Sequence, residues 1–402
     1  MSIKSNIGKL KRVCPAPLFR ALQRFANRAN IKAFNSFARE GINSEKIVFL
    51  SPTRRDISGN FAFVLEALKE QPFETVVLLE QHHENMDEVM HACATARYIF
   101  ADDYVRYMYT LPLAPEQKFI QLWHSTGAFK RMGFSRMGRE GSTIKGSLTH
   151  RNYTDVVVSS EGVVDDFAEA FGVDRAKVHP YGVPRTDIFF DETYKQRTRA
   201  RLREEYQLGD DQRVVLFAPT YRGNDVHTAY YPPEFIDFDV LSDALGDEYV
   251  LAIKYHPFIK DVPYFSARNS RRIINVSNYR EINDLLLMAD VLVTDYSSVI
   301  FEYAFLDKPV VFFAPDKDEY VGNRDFFYDY GTYLYGTLAT TQKELRIALK
   351  SCEARTHNEA DQVTHRDLAN FKDKFLGACD GKSTERCVQK LLLDTSEMRD
   401  ER

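Results

Sequence analysis

The chain has 402 residues, of which 44% are hydrophobic and 28% are charged, the composition of a soluble globular protein with a full core. This length suits two domains of ordinary size. No apolar run approaches the roughly 18 residues that cross a membrane, and no short apolar segment is followed by a small-residue cleavage site. The five cysteines are scattered and form no CxxC motif, which argues against a disulfide framework or a structural zinc site and favours the cytoplasm.

Charge is distributed unevenly along the chain. Residues 1–40 contain nine Lys and Arg residues and a single acidic residue, Glu40, which gives a net charge of +8. Because the whole chain carries −5, the remainder carries −13. We do not expect an acidic body of this kind to bind nucleic acid.

The segment 1–40 is predicted to contain an amphipathic helix. Apolar residues recur on one face at helical spacing, and basic residues four positions apart form an adjoining stripe. Such a helix either lies in an anionic membrane interface or packs on the body of the protein with a solvated basic edge. We predict the membrane contact, because Phe and Arg are abundant between residues 18 and 37 and acidic residues are absent from that stretch. The apolar face comprises Leu18, Phe19, Leu22, Phe25, Ala26, Ala29, Ala33 and Phe37, and the basic stripe comprises Arg20, Arg24, Arg28 and Lys32.

From Lys46 onward, short apolar runs alternate with helical segments. This alternation predicts an α/β fold with parallel, doubly wound sheets. A charged helix at 192–206 marks a hinge, so we place a first domain at 44–190 and a second at 191–395. A long loop, 125–151, is predicted to be mobile and to lie beside the active site. The predicted strands are residues 47–50, 75–79, 98–100, 118–123, 155–158, 213–218, 249–253, 273–276, 291–293 and 310–313, with a further short segment at 177–181.

The stretch 289–302 combines a buried strand with a polar turn and a helix start. The apolar run 291–293 is followed by Thr294 and Asp295, and Ser297 and Ser298 stand where the next helix begins. Amides at a helix start, together with two hydroxyl groups, suit a phosphate. Serine is also a preferred helix cap in any protein, so plain capping is an equally good interpretation.

Polar residues follow four further predicted strands in the same way. The carboxyl ends of parallel strands are where open α/β sheets bind ligands, so the repetition is informative. The four stretches are Trp123-His124-Ser125-Thr126-Gly127, the block from Gly182 through Arg185 to Asp187, Ala218-Pro219-Thr220-Tyr221-Arg222, and Lys254-Tyr255-His256-Pro257.

Two histidines in these stretches are candidates for catalysis. His124 and His256 lie at strand ends in different predicted domains, and histidine is the side chain best suited to proton transfer near neutral pH. Arg185, Arg222 and Lys254 supply the positive charge that a diphosphate requires. The sequence contains neither a P-loop nor a dinucleotide fingerprint. We expect no metal and no cofactor.

Taken together, these stretches resemble the CDP-glycerol glycerophosphotransferase family of teichoic acid primases and polymerases. The resemblance runs from about residue 46 to about residue 349. It rests on Trp123-His124 with Thr126 and Lys130, Pro184-Arg185-Thr186-Asp187, Ala218-Pro219-Thr220-Tyr221-Arg222, His256-Pro257, Thr294-Asp295-Tyr296-Ser297-Ser298, and the segment from Asp307 to Phe313 with Asp318, Glu319 and Tyr320 beyond it.

The resemblance implies a GT-B-like pair of Rossmann-like domains, with CDP-glycerol bound mainly by the second. It implies a peripheral protein on the cytoplasmic face of the bacterial cell membrane, with a lipid-linked acceptor as partner, and it leaves homo-oligomerisation open. His124 and His256 match the two histidines that the family needs for activity. The donor-binding residues that we predict are Ser125, Thr126, Gly127, Arg185, Pro219, Thr220, Arg222, Lys254, Thr294, Asp295, Ser297 and Ser298.

The predicted reaction is transfer of glycerol phosphate from CDP-glycerol to a hydroxyl of a lipid-linked glycan or a growing polymer, with release of CMP. His124 is assigned as general base, and one of the two histidines can serve only to bind phosphate. The alternatives are the same chemistry with CDP-ribitol or for a capsule polymer, a nucleotide-sugar glycosyltransferase on the same fold, and a membrane-bound binding module. A primase and a polymerase are not distinguished by these residues.

Overall fold

The computed structural model describes residues 15–137, 143–223, 226–261, 263–323, 325–352 and 359–394. Part of the predicted basic arm, with Lys4, Lys9, Lys11 and Arg12, lies outside these residues, as does the 138–142 part of the predicted long loop. Among the described residues, no helix is both long and apolar enough to span a bilayer.

The chain divides into two compact units, residues 1–187 with 374–402 and residues 188–373. The structure departs from the predicted range 191–395, because the chain from Lys374 onward belongs to the first unit. Hydrogen bonds fix this return. The Ser159 hydroxyl donates to the Phe375 carbonyl at 2.6 Å, and the amides of Ser383 and Thr384 donate to the Asp187 carboxylate at 3.0 and 2.8 Å.

The first unit is built on a six-stranded parallel sheet in the order β2-β1-β3-β4-β5-β6. Its central strands are buried along their lengths, as expected for a parallel sheet that is covered on both faces. The strands are β1 (Asn43–Leu50), β2 (Glu74–Leu78), β3 (Ala96–Ala101), β4 (Lys118–Gln121), β5 (Asp155–Val157) and β6 (Val178–His179). The helices are α1 (Ala16–Ala26), α2 (Arg28–Phe37), α3 (Asn60–Ala67), α4 (Met86–Thr95) and α5 (Val164–Phe171).

The second unit has its own six-stranded parallel sheet, in the order β12-β11-β10-β7-β8-β9. Its strands are β7 (Arg213–Phe217), β8 (Tyr249–Ile253), β9 (Ile273–Asn275), β10 (Val291–Thr294), β11 (Val310–Phe313) and β12 (Thr337–Ala339). The remaining helices of the chain are α6 (Glu192–Glu205), α7 (Phe238–Leu245), α8 (Ile282–Met288), α9 (Val299–Tyr303), α10 (Lys317–Asn323), α11 (Gln342–Ser351), α12 (Glu359–Leu376) and α13 (Ser383–Val388).

The order of strands in the second sheet indicates where that sheet can bind a ligand. In the second sheet the chain starts at β7, moves outward through β8 and β9, and returns to the other side of β7 with β10, which is the Rossmann order. The loops after β7 and β10 therefore flank a topological switch point, where such sheets hold ligands. The predicted α/β class and the predicted strands are confirmed, whereas β12 was not predicted.

The N-terminal helical segment is broken at Asn27 rather than continuous. The Asn27 side chain donates to the Tyr107 carbonyl at 2.8 Å and to the Thr110 hydroxyl at 2.6 Å, which anchors the break to the first unit. The helix α2 packs against α4 and buries Phe34, which lies off the predicted apolar face. The helix α1 buries none of its residues and leaves Phe25 63% exposed. The predicted face is thus divided between two helices.

Candidate active site

The turn after β4 presents His124 at the surface of the first unit. Trp123 adopts a left-handed conformation with φ 54°, which is rare for a bulky residue and costs backbone energy. Two contacts stabilise this conformation. The side-chain amide of Asn60 donates to the Trp123 carbonyl at 2.8 Å, and the indole packs against Phe171. The imidazole of His124 packs on the indole with ring centroids 4.1 Å apart, and its side chain remains exposed.

A hydrogen bond fixes the tautomer of His124. Its Nδ1 lies 3.0 Å from the backbone carbonyl oxygen of Asp102, at the end of β3. A carbonyl oxygen only accepts, so Nδ1 carries the proton and Nε2 of the neutral ring carries the lone pair. The Asp102 carboxylate is buried and pairs with Nε of Arg54, which holds this strand end in place. His124 is thereby presented as a proton acceptor.

Asn60, the first residue of α3, joins two of the predicted loops. Its amide donates to the carbonyls of Leu122 and Trp123, and its side-chain oxygen accepts the Arg185 amide at 3.0 Å. Asn60 is buried, so these hydrogen bonds are shielded from water. The His124 turn and the Arg185 turn are thus held by one side chain.

The residues that follow His124 lead back into the core. Ser125 is half-buried and Thr126 is buried. Gly127 has φ 68°, a conformation that favours glycine, and its amide donates to the Ser159 hydroxyl at 3.0 Å. The contacts of this segment with CDP-glycerol stay a prediction.

In the second unit, His256 follows β8 and has the opposite tautomer. The Phe258 amide donates to its Nδ1 at 3.2 Å, so the proton of the neutral ring lies on Nε2. The ring packs against Tyr221 and Phe258, with centroids 4.8 and 4.6 Å away. Lys254 is buried and its Nζ donates to the Ser277 carbonyl at 2.7 Å. Burial lowers the pKa of Lys254.

The switch point of the second sheet is held together by Asp295. Its fully buried carboxylate accepts the Thr220 amide at 2.7 Å and the Tyr296 amide at 2.6 Å. The Thr294 hydroxyl donates to the Ala218 carbonyl at 2.7 Å, which ties the same two loops together. Thr220, which follows buried Pro219, has a buried hydroxyl with no hydrogen-bond partner among the described residues.

Arg222 is engaged internally. Its guanidinium donates to Asp295, to both carboxylate oxygens of Asp316 and to the Thr220 carbonyl, at 2.6 to 3.0 Å. Burial opposes the charge, but the two carboxylates outweigh it and raise the pKa of Arg222 above its usual value. The side chain organises the loops at the switch point, and its direct contact with the donor stays a prediction.

Ser297 and Ser298 are half-buried just before α9. Ser298 occupies the capping position of that helix, but its hydroxyl caps no amide. The structure therefore does not give this residue the plain capping role that was the alternative interpretation. Each hydroxyl can donate to and accept from a ligand.

Comparison with known proteins decides the family. A model of the CDP-Glycerol:Poly(glycerophosphate) glycerophosphotransferase family matches residues 32–393, most of the chain. The chain belongs to this family.

Curated members of the glycerophosphotransferase family are similar to this chain. A teichoic acid poly(ribitol-phosphate) polymerase of Bacillus spizizenii is 39% identical over 98% of this chain and 65% of its own length. The ribitol-phosphate polymerase TarK of Staphylococcus aureus is 37% identical over 87% of this chain and 68% of its own length. A teichoic acid ribitol-phosphate primase of B. spizizenii is 30% identical over 86% of this chain and 90% of its own length. The chain thus spans about two thirds of the length of each of these two polymerases.

Solved structures support the fold. The structure of the wall teichoic acid polymerase TagF aligns over 100% of both chains with a TM-score of 0.75 and 22% identity. A UDP-GlcNAc 2-epimerase from Neisseria meningitidis aligns over 86% of this chain and 99% of its own, with a TM-score of 0.54 and 12% identity. The GT-B-like architecture that the sequence predicts is thereby confirmed.

Within this family fold, some supporting residues were not predicted. Asp102 lies two residues after the end of the predicted strand 98–100, so the rule that found His124 could also have found it. Asn60 gave no signal, because it meets its partners only after folding. Among the described residues, no group of three or more His, Cys, Asp or Glu residues could hold a metal ion.

Proposed function

We propose that the protein transfers a polyol phosphate from a CDP-activated polyol to a hydroxyl of a growing teichoic-acid-type polymer or its lipid-linked primer, and releases CMP. The observation that carries this proposal is the pair of histidines with opposite tautomers. His124 offers a lone pair at Nε2, and His256 offers a proton at Nε2. Transfer of a phosphoryl group to a hydroxyl is assisted by a base that takes the hydroxyl proton and by a donor that stabilises the charge on the phosphate oxygens.

The first unit activates the acceptor in this proposal. The acceptor oxygen forms a bond to the phosphorus that carries the polyol, and its proton passes to Nε2 of His124. The hydrogen bond from Nδ1 to the Asp102 carbonyl keeps the ring oriented and stabilises the imidazolium that forms. The bond from that phosphorus to the bridging oxygen breaks, and CMP leaves with the electron pair.

The second unit holds the donor. His256 donates from Nε2 to a phosphate oxygen and stabilises the charge that develops during transfer. The hydroxyls of Ser297 and Ser298, which make no hydrogen bond to other described residues, bind the diphosphate or the ribose. The buried Thr220 hydroxyl, which lacks a partner in the described structure, is a further group that a donor would satisfy. Lys254 adds positive charge, and Arg222 positions the loops. Arg185, which belongs to the first unit, is proposed as a further positive charge for the donor.

We propose CDP-ribitol as the first donor to test and CDP-glycerol as the second. Ribitol is favoured because the two polymerases most similar by the identities given above are named for ribitol phosphate. Glycerol is favoured by the description of the matching family and by a teichoic acid glycerol-phosphate primase of B. spizizenii, which is 30% identical over 69% of this chain.

The acceptor is proposed to be reached at the cytoplasmic face of the bacterial membrane through α1. This helix exposes Leu18, Leu22 and Phe25 to solvent, and Arg20 and Arg24 are exposed beside them. Exposed apolar side chains among basic ones suit an anionic lipid surface.

The test is incubation of the purified protein with labelled CDP-ribitol, CDP-glycerol and UDP-sugars, each with a lipid-linked or short soluble acceptor. We expect CMP release that depends on the acceptor and on one of the CDP-polyols. UDP release from a UDP-sugar, without CMP release, would instead identify a glycosyltransferase. A His124→Ala variant is the control for adventitious hydrolysis.

A further inference from the structure

The first unit contains a cavity of about 390 Å³ that the predicted site residues do not line. Three arginines line it, Arg106, Arg131 and Arg136, and none of the described lining residues is acidic. The helix α1 contributes Phe19 and Gln23 to the wall. A concave site with several cationic groups and no carboxylate is suited to an anion.

Two of these arginines differ from the third in having no ion-pair partner in the part of the chain that the structure describes. Arg131 lies 3.5 Å from the Glu169 carboxylate. In contrast, neither Arg106 nor Arg136 forms a salt bridge or a side-chain hydrogen bond with another described residue. Both guanidinium groups can therefore bind a ligand without losing an internal partner, and their fork geometry matches phosphate oxygens.

A buried histidine in the cavity wall also lacks a partner. His150 is 1% exposed, and neither of its ring nitrogens has a hydrogen-bond partner among the described residues. Such an orphaned polar side chain is rare in a folded protein and is destabilising unless a ligand or water satisfies it. The ring packs within 5.1 Å of Tyr104 and 4.8 Å of Phe171, so it is fixed where it stands.

The cavity is joined to the His124 turn by direct aromatic contacts. Tyr104, which lines the cavity, lies 5.1 Å from the His150 ring and 5.1 Å from the Trp123 ring. Trp123 in turn packs on His124 at 4.1 Å. Two ring contacts, from Tyr104 to Trp123 and from Trp123 to His124, therefore connect the cavity wall with the proposed base. A flexible polyol phosphate chain is long enough to bridge a separation of this kind.

We propose that this cavity binds a phosphate group of the anionic acceptor, and that it holds the polymer or the lipid-linked diphosphate while the terminal hydroxyl meets His124. This inference rests on the proposed function for the identity of the ligand. The same phosphate chemistry occurs in an anionic lipid headgroup, so the experiment separates the two sources.

The kinetic test uses Arg106→Ala, Arg136→Ala and the double variant. Because neither side chain has an ion-pair or hydrogen-bond partner among the described residues, we expect the variants to fold. We expect each single change to raise KM for a short soluble acceptor about tenfold, the loss of one charge-assisted contact, with kcat and the donor KM unchanged. Arg136→Lys should recover part of the loss because the charge is kept. The matched control is Arg151→Ala, an exposed arginine next to His150 that does not line the cavity.

The binding test follows the imidazole of His150 by NMR in protein labelled with ¹⁵N-histidine. Inorganic phosphate and a short polyol phosphate should each shift its resonances, and the double variant should show no shift. This measurement needs no turnover. If no CDP-polyol is a donor, the proposed function fails, whereas a phosphate-induced shift that requires the two arginines still supports the cavity.

Two results would overturn the inference. One is an unchanged acceptor KM in the double variant together with no phosphate-induced shift of His150. The other is a double variant that no longer binds phosphatidylglycerol vesicles that contain no acceptor, but whose KM for the acceptor equals the wild-type value. That second result would assign the cavity to a lipid headgroup.

Discussion

The Nδ1 proton of His124 is donated to the backbone carbonyl oxygen of Asp102, 3.0 Å away. This leaves Nε2 as the only ring atom able to take a proton, whereas the Nδ1 of His256 accepts an amide and leaves Nε2 as a donor. The two histidines are thus prepared for different steps, and substitutions can tell them apart.

We expect His124→Ala and His256→Ala each to lower kcat by at least about 100-fold. Glutamine places an amide NH₂ near the position of Nε2, so His256→Gln should recover part of the activity. His124→Gln should not, because an amide is a poor base. The measurement is CMP release at saturating donor and acceptor, with folding checked by circular dichroism. Equal recovery by glutamine at both positions would contradict the assigned roles.

Asn60→Ala should loosen the His124 turn and the Arg185 turn together. It removes three hydrogen bonds from a buried site, and we expect a loss of about 1–3 kcal/mol in the free energy of unfolding. We also expect a drop in kcat of about tenfold or more, because the strained Trp123 conformation loses a support. Asn85→Ala is the matched control, since Asn85 caps α4 and touches none of the site residues. A variant with reduced stability and unchanged kcat would show that Asn60 serves the fold alone.

Replacing both Ser297 and Ser298 with alanine should weaken CDP binding and leave the stability unchanged. Their hydroxyls make no hydrogen bond to other described residues, so the folded protein loses nothing. Calorimetric titration with CDP measures the affinity, and urea unfolding measures the stability. Thr341→Ala provides the contrast, because Thr341 forms a capping box with Glu344 at the start of α11 and should cost about 1 kcal/mol of stability with no effect on CDP binding.

Acid should destabilise the protein through His150. Burial lowers the pKa of His150 from 6.5 to about 3, so the folded ring stays neutral while the ring of the unfolded chain becomes protonated below about 6.5. The free energy of unfolding therefore decreases as the pH falls from 6.5 towards 3. Tyr104, Tyr109 and Tyr153 face the ring, and the three cavity arginines are the charged groups that share its surroundings.

His150→Asn should flatten that pH dependence, measured as the urea midpoint between pH 6.5 and 4. Asparagine does not titrate and tolerates the left-handed backbone, φ 63°, that His150 adopts. If the slope of His150→Asn equals that of the wild type, other groups govern the acid response.

The membrane contact is tested by replacing Leu18, Leu22 and Phe25 with serine. All three side chains are more than 40% exposed, so we expect wild-type stability and CDP affinity. Co-sedimentation with anionic vesicles should be lost, and activity should fall on a membrane-bound acceptor but much less on a soluble one. Val240→Ser with Ile347→Ser, at comparably exposed positions of the second unit, is the control. Point variants are preferable to removal of residues 1–40, because that removal would strip buried Phe34 from the core. Vesicle binding that persists in the triple variant would locate the contact elsewhere.

Most of the strands could be predicted from the sequence, whereas contacts between residues far apart in the chain could not. The β-branched run at Val291 and Val293 predicted β10, because a strand buried on both faces must be apolar throughout. The strand β12 (Thr337–Ala339) lacks such a run and was missed. Phe34 lies off the apolar face of the predicted helix, and its burial is decided by where α4 lies. Likewise, Asn60 and Trp123 meet only in the folded chain, since 63 positions separate them.

The return of the chain to the first unit sets an order of events during synthesis. The apolar cluster around β1 and α3 includes Cys387, Val388, Leu391 and Leu392, which leave the ribosome only after the whole second unit. At an elongation rate of about 5–20 residues per second, the earlier part of the first unit waits on the order of ten seconds or more for these side chains. During that time the second unit can fold on its own, while the surface of Phe61 and Val64 remains open to chaperones. A fragment ending near Asp187 would keep this surface exposed permanently and is expected to aggregate when expressed alone.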